Sequence, residues 1–249
     1  IQGSQRTTRR GLLALCSREY SSAMTEIDYK VKTSSKASNP RIDVSIREVN
    51  VVLPEDSDLD PDELVEEKKD WIAEKRQKYN RYLEQAPERD FNQGEVFLYK
   101  GKEKVLTTSE VENVEVEENR ILLPNSKDSD NKEVLRSFFR RQAKKEIMPL
   151  LREYRDKMDV DYEDVSFRNQ KTLWGSCSPN ETLSFNWRLV MAPPEVVEYV
   201  VVHELAHLQE RNHTKKFWRI VEEYYSDYKE SSQWLEQNAP KMIFTEEDL

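Results

Sequence analysis

The chain has 249 residues, of which 37% are hydrophobic and 35% charged, with a formal net charge of −9. That length suits one large or two small domains with a buried core, and five Trp with eleven Tyr exclude wholesale disorder. The negative balance argues against direct nucleic-acid binding, no apolar run reaches the length of a membrane span, and the two cysteines, Cys16 and Cys177, fit a reducing, cytoplasmic setting rather than a disulfide framework.

Residues 1–26 read as a disordered or vector-derived tail, with Met24 as the expected true start. "TTRRGLLALC" has the twin-arginine look of an export signal, but its apolar part, residues 11–16, is short and Arg18 and Glu19 interrupt it. The absence of acidic residues from Ile1 to Arg18 also matches a transit peptide.

Residues 27–53 alternate. In "RIDVSIREVNVVLP", Ile42, Val44 and Ile46 share one face, which predicts two or three strands. The acidic connector "PEDSDLDPDEL" leads into a helix capped by Asp60, with Pro61 in its first turn. That helix is expected to run to about Gln85, with Leu64, Lys68, Trp71, Ile72 and Lys75 near one stripe.

"GEVFLYKGKEKVLTTSEVENVEVEENRILLP" predicts a meander of three short strands. Asp130 then caps a basic helix reaching about Met158, whose Arg and Lys residues read as a solvated face. Pro149 should kink or split it. Residues 165–168 and "TLSFNWRLVMAP" read as strands paired as a hairpin around "LWGSCSPNETL". Pro193 and Pro194 end the second strand and open a helix, and residues 214–225 and 230–237 predict two more.

All three histidines lie within "VVHELAHLQERNH". Val197, Val200, Val201, Leu205 and Leu208 recur at helical spacing, so this segment predicts a buried helix. His203 and His207, four apart, project about 40° from one another and one turn apart, so both imidazoles can grip one ion. Glu204 sits on the flank of that face, offset from ligation but within reach of a metal-activated water. This is the logic of H-E-x-x-H: zinc takes nitrogen ligands, keeps one position open, and brings the pKa of water toward neutrality for a carboxylate to deprotonate.

A third ligand is required. On a straight helix His213 would stand roughly 9 Å along the axis from His207, so the chain must turn first. Asn212 is a candidate left-handed residue for that turn. His213 is the preferred third ligand, with Glu222 or Glu223 on the next helix as runner-up. The glycine of the metzincin pattern would fall at Glu210, so the chain is not assigned to that group.

The run Trp174, Gly175, Ser176, Cys177 reads as a structural turn, with the alternative that it lines the site and brings Cys177 toward the ion. Asn186 and Arg188 alternate on one strand face and are candidates for binding substrate backbone or polarising a carbonyl, with an ordinary polar strand face as the equal alternative. Arg168 and Lys171 are exposed basic residues that an anionic substrate could meet.

Residues 171–218 resemble the YgjP-like (DUF45) family of zinc metallopeptidases. The W-G-S-C turn, the N-W-R strand, the A-P-P-E-V helix start, the H-E-L-A-H-L helix and an N-H-x-x-x-F-W segment occur in order. The resemblance extends more weakly upstream, through "RIDVSIREVNVVLP" and "VEEKKDWIAEK", and the family is itself similar to SprT-like and WLM zincins. It implies an α+β fold: an antiparallel β-rich N-terminal part with a helix over residues 27–125, then a minimal zincin-like core over residues 126–240 with antiparallel strands and an active-site helix, and a tail over residues 241–249. It further implies Zn2+ on His203, His207 and His213, Glu204 as catalytic base, and a peptide or protein substrate. Two other functions stay open: a metal-dependent hydrolase of a non-peptide substrate such as a nucleotide phosphoanhydride, and a zinc-containing binding module without turnover.

Overall fold

The computed structural model describes residues 27–245 apart from 36, 38, 46–47, 126–129 and 171–172. The expectations for the N-terminal tail, including Met24 and Cys16, for Ile46 and for Lys171 lie outside the described residues. The fold is mixed α and β, with six α-helices and three small sheets among the described residues. None of these helices is long and apolar enough to cross a membrane. The described residues divide into two compact units, one drawn from Ile1–Asp43 and Glu48–Lys69, the other from Val44–Arg47 and Asp70–Leu249.

The first unit holds β1 (Lys30–Ser34), β2 (Arg41–Val44), β3 (Val49–Pro54) and α1 (Pro61–Glu67). The strand order is β1-β3-β2, and β1 runs parallel to β3, which corrects the antiparallel expectation. The reason lies in β3. Val49, Val51, Val52 and Leu53 are all buried, and a strand apolar on both faces belongs at the centre of a sheet rather than in sequence order. Asp60 caps α1 by accepting from the Asp62 amide at 2.9 Å. The helix breaks at Lys68 instead of continuing to Gln85.

In the second unit, α2 (Lys69–Gln85) buries Ile72 and Tyr79, seven residues apart, while Trp71 stays 41% exposed. Four strands follow instead of three: β4 (Val96–Tyr99), β5 (Lys102–Ser109), β6 (Glu115–Val116) and β7 (Arg120–Pro124). Their order is β4-β5-β7-β6, with β5 and β7 parallel, so the segment is not a meander. Ile121, Leu122 and Leu123 of β7 are consecutively buried, and an interior position gives both of its faces cover.

At the tip of the β4–β5 hairpin, Lys100 and Gly101 both have positive φ (51° and 76°), as a tight primed turn requires. Their amides donate to the carbonyls of Val190 and Met191, each at 2.9 Å. A Cβ on Gly101 would lie 2.6 Å from Cγ of Pro193. The hairpin thereby holds the segment that enters the next helix.

Helix α3 (Asn131–Met158) is capped by Asp130, which accepts from the amides of Lys132 and Glu133. Leu135, Phe139, Ala143, Ile147 and Leu151 recur on its buried face, and the helix packs against Pro194–Gln209. Pro149 lies inside it without splitting it, and left-handed Asp159 ends it.

The third sheet has β8 (Asp164–Arg168), β9 (Gly175–Cys177) and β10 (Thr182–Asn186) in the order β8-β10-β9. The expected hairpin between β8 and β10 is instead a parallel pair. The intervening "WGSC" supplies β9, which turns back antiparallel on β10 and takes the hairpin position. The strand expected over "TLSFNWRLVMAP" stops at Asn186, and Trp187–Met191 form a 3-10 turn. Then come α4 (Pro194–Gln209), α5 (Lys215–Tyr224) and α6 (Tyr228–Asn238).

Candidate metal centre

Helix α4 opens at Pro194 and buries Val196, Val197, Val200, Val201, Val202, Leu205 and Ala206. That anchoring fixes its rotation, and the face left over carries His203 and His207. After Gln209 the backbone extends at Glu210 (φ −146°, ψ 108°). The amide of Thr214 then donates to the carbonyl of Asn212 at 2.7 Å, a reversal of the γ-turn kind. Asn212 is not among the left-handed residues, so the turn toward His213 is made by extended Glu210 and this short bond, not by a left-handed Asn212. Thr214 caps α5 by accepting from the Phe217 amide at 3.3 Å.

One nitrogen from each of His203, His207 and His213 lies within 4.8 Å of the others, and no other group of this kind occurs among the described residues. Glu222, Glu223 and Cys177 are not part of it. Nε2 of His203 and Nε2 of His213 stand 3.0 Å apart. Tetrahedral zinc with bonds near 2.0–2.1 Å sets ligand nitrogens about 3.3 Å apart, so the spacing fits a shared ion. Nδ1 of His207 donates to the Glu210 carbonyl at 3.3 Å, which leaves its Nε2 lone pair for a metal. Nδ1 of His203 approaches the Tyr199 hydroxyl at 3.5 Å.

Phe217 is the floor of this cluster. Fully buried, its ring centre lies 4.9, 4.5 and 4.7 Å from those of His203, His207 and His213. Trp218 closes one side at 5.8 and 5.7 Å from His203 and His213 and is itself stacked on Tyr228. Burial among these rings pushes the His203 imidazole down to about 3, with His207 and His213 adding to the effect. Burial likewise lowers His207 and His213. All three shifts favour the neutral imidazole, the form that ligates.

Glu204, one residue along α4, is only 5% exposed, and its Oε2 has no hydrogen-bond partner. Burial pushes its carboxyl up to about 8, which makes the carboxylate a stronger proton acceptor than usual. A buried carboxylate without a partner is costly and marks a site rather than a scaffold. Glu204 and the three histidines line one cleft of about 580 Å³.

Asn186 and Arg188 also border that cleft, but their polar atoms turn to the chain. Both are nearly fully buried. Asn186 donates to the carbonyls of Gln170 and Leu173 at 2.8 and 3.1 Å and accepts from the Arg188 amide at 3.1 Å. Arg188 donates to the Gln170 carbonyl at 2.8 Å and lies over the Trp174 ring. Arg188 sits on the 3-10 turn, so the two do not alternate along one strand. Together they staple the loop that delivers β9. Arg211 links the other end, donating to the carbonyls of Ser178 and Pro179 at 2.7 and 3.2 Å. Sequence reasoning did not find the apposition of Gly175 to Glu204, where a Cβ would come within 2.5 Å of Oε1. The only signal was the glycine of the Trp174–Cys177 run, which reads in the sequence as a turn.

No curated protein matches the sequence. Among solved structures, the metallopeptidase zymogen of Pyrococcus abyssi abylysin is 24% identical, with a TM-score of 0.35, over 39% of this chain and 99% of its own. That of Methanocaldococcus jannaschii jannalysin is 22% identical, with a TM-score of 0.35, over 37% and 96%. The model of the YgjP-like metallopeptidase domain matches residues 38–238, four-fifths of the sequence, with all three histidines and Glu204 inside the match. The chain belongs to the YgjP-like metallopeptidase domain family.

Proposed function

We propose that the chain is a zinc-dependent metallopeptidase in which His203, His207 and His213 hold the ion and Glu204 is the general base. The observation that carries this reading is the convergence of three imidazoles beside a buried, unpartnered carboxylate in one cleft. A zinc ion held there supplies Lewis acidity, polarising a scissile carbonyl and bringing the pKa of water toward neutrality.

The chain's own residues supply the rest. Glu204 accepts the proton of the attacking water at its carboxylate and returns it to the leaving amine. The dry surroundings of Glu204 strengthen it for this exchange. Strand β10 is interior, with β8 and β9 on either side. The edge falls to β9, which lines the cleft, so a peptide lying along β9 gains main-chain hydrogen bonds. A purely structural zinc has no use for an unpartnered carboxylate next to its ligands, which favours turnover over a binding module.

The test is Glu204→Gln with zinc content measured beside hydrolysis of casein, a peptide panel and nucleoside triphosphates. Zinc should stay bound while peptide hydrolysis disappears. Undiminished peptide hydrolysis in the variant would refute the role of Glu204, and hydrolysis confined to the triphosphates would refute the substrate class.

A further inference from the structure

Gly175 begins β9, where it pairs with Phe185 of β10. It is not among the positive-φ glycines, which are Gly94 and Gly101, so its backbone suits any residue. Glycine weakens a strand interior and commonly marks the close approach of another group. Here that group is a side chain. A Cβ built on Gly175 would lie 2.5 Å from Oε1, 2.6 Å from Cγ and 2.7 Å from Cδ of Glu204. Three bonded atoms are touched, not only the tip, so rotating the carboxylate about its last bond gives no relief. Burial of Glu204 closes the other ways out except the cleft itself.

We propose that Gly175 is a positioning residue: the side chain it lacks is the slot that holds the Glu204 carboxylate in place. This rests on the reading of Glu204 as the base. Any side chain at position 175 drives the carboxylate out of its slot, while the three histidines, which pack on Phe217 and not on Gly175, keep the ion.

Four proteins test this: wild type, Gly175→Ala, Glu204→Ala and the double variant, each measured for Tm, bound zinc and casein hydrolysis. With Glu204 present, Gly175→Ala should lower Tm by roughly 3–10 °C. In the Glu204→Ala background the same change should leave Tm unchanged or raise it, since alanine suits a strand better than glycine. Zinc should remain stoichiometric throughout, and Gly175→Ala should cut kcat on the order of 10²-fold with little change in KM. If Gly175→Ala does not fold, a folded double variant supports the slot and an unfolded one overturns it. Equal Tm changes in both backgrounds overturn the contact, and unchanged kcat overturns the positioning role. Failure of the base assignment is distinct: Glu204→Gln would then keep its activity while the Tm coupling persisted.

Discussion

The two walls of the cleft are built on opposite terms. The histidine wall is crowded: each imidazole has the Phe217 ring beneath it, and His203 and His207 have partners at Nδ1. The carboxylate wall is defined by what is missing, a side chain at Gly175 and a hydrogen-bond partner at Oε2 of Glu204. On the proposed reading, the difference separates holding an ion from moving a proton, so that each should be lost without the other.

The largest expected effect lies on the carboxylate wall. Glu204→Gln should reduce peptide hydrolysis on the order of 10²–10⁴-fold with zinc content unchanged; joint loss of zinc and turnover would merge the two walls into one. On the histidine wall, His213→Ala should weaken zinc binding by more than the roughly 10–100-fold typical of losing a ligand's hydrogen-bond partner. Glu222→Ala should leave it intact, as a competition titration with a chelating dye would show. Phe217→Ala should destabilise the chain by about 3–5 kcal/mol in denaturant unfolding and weaken zinc binding as well, since all three ligand rings lose their floor. The smallest effect is expected at Asn186→Ala, about 1–3 kcal/mol from the Leu173 carbonyl losing its side-chain donor, since Arg188 still donates to the carbonyl of Gln170. Zinc affinity should not follow, and if it did, the loop staple would belong to the histidine wall.

What could be read ahead of the structure follows the range of the interactions. His203, Glu204 and His207 share one helix, and His213 is six residues beyond His207, so their convergence is a matter of helical pitch and one turn. The detail of that turn was not legible, because extended Glu210 competes with left-handed Asn212 and local propensity favoured the latter. The sheets were misread for the opposite reason. The pairings of β1 with β3, β5 with β7 and β8 with β10 are parallel and join residues well separated in the chain. Alternation of polar and apolar residues marks strands without saying which neighbour each one takes. The consecutively buried Ile121, Leu122 and Leu123 were the available hint that β7 is interior. Asn186 and Arg188 read in the sequence either as substrate-binding groups or as an ordinary polar strand face, and only the tertiary fold shows their hydrogen bonds to the loop ahead of β9.

A β-hairpin tip is ordinarily where a protein accepts inserted residues or new termini at little cost. The tip at Lys100 and Gly101 lacks that latitude, because its amides hold the carbonyls of Val190 and Met191 and its glycine abuts Pro193. Lengthening this loop would release the entrance of α4 and with it the histidine-bearing helix. In engineering or in descent, the chain has more freedom to grow elsewhere than at this surface bend.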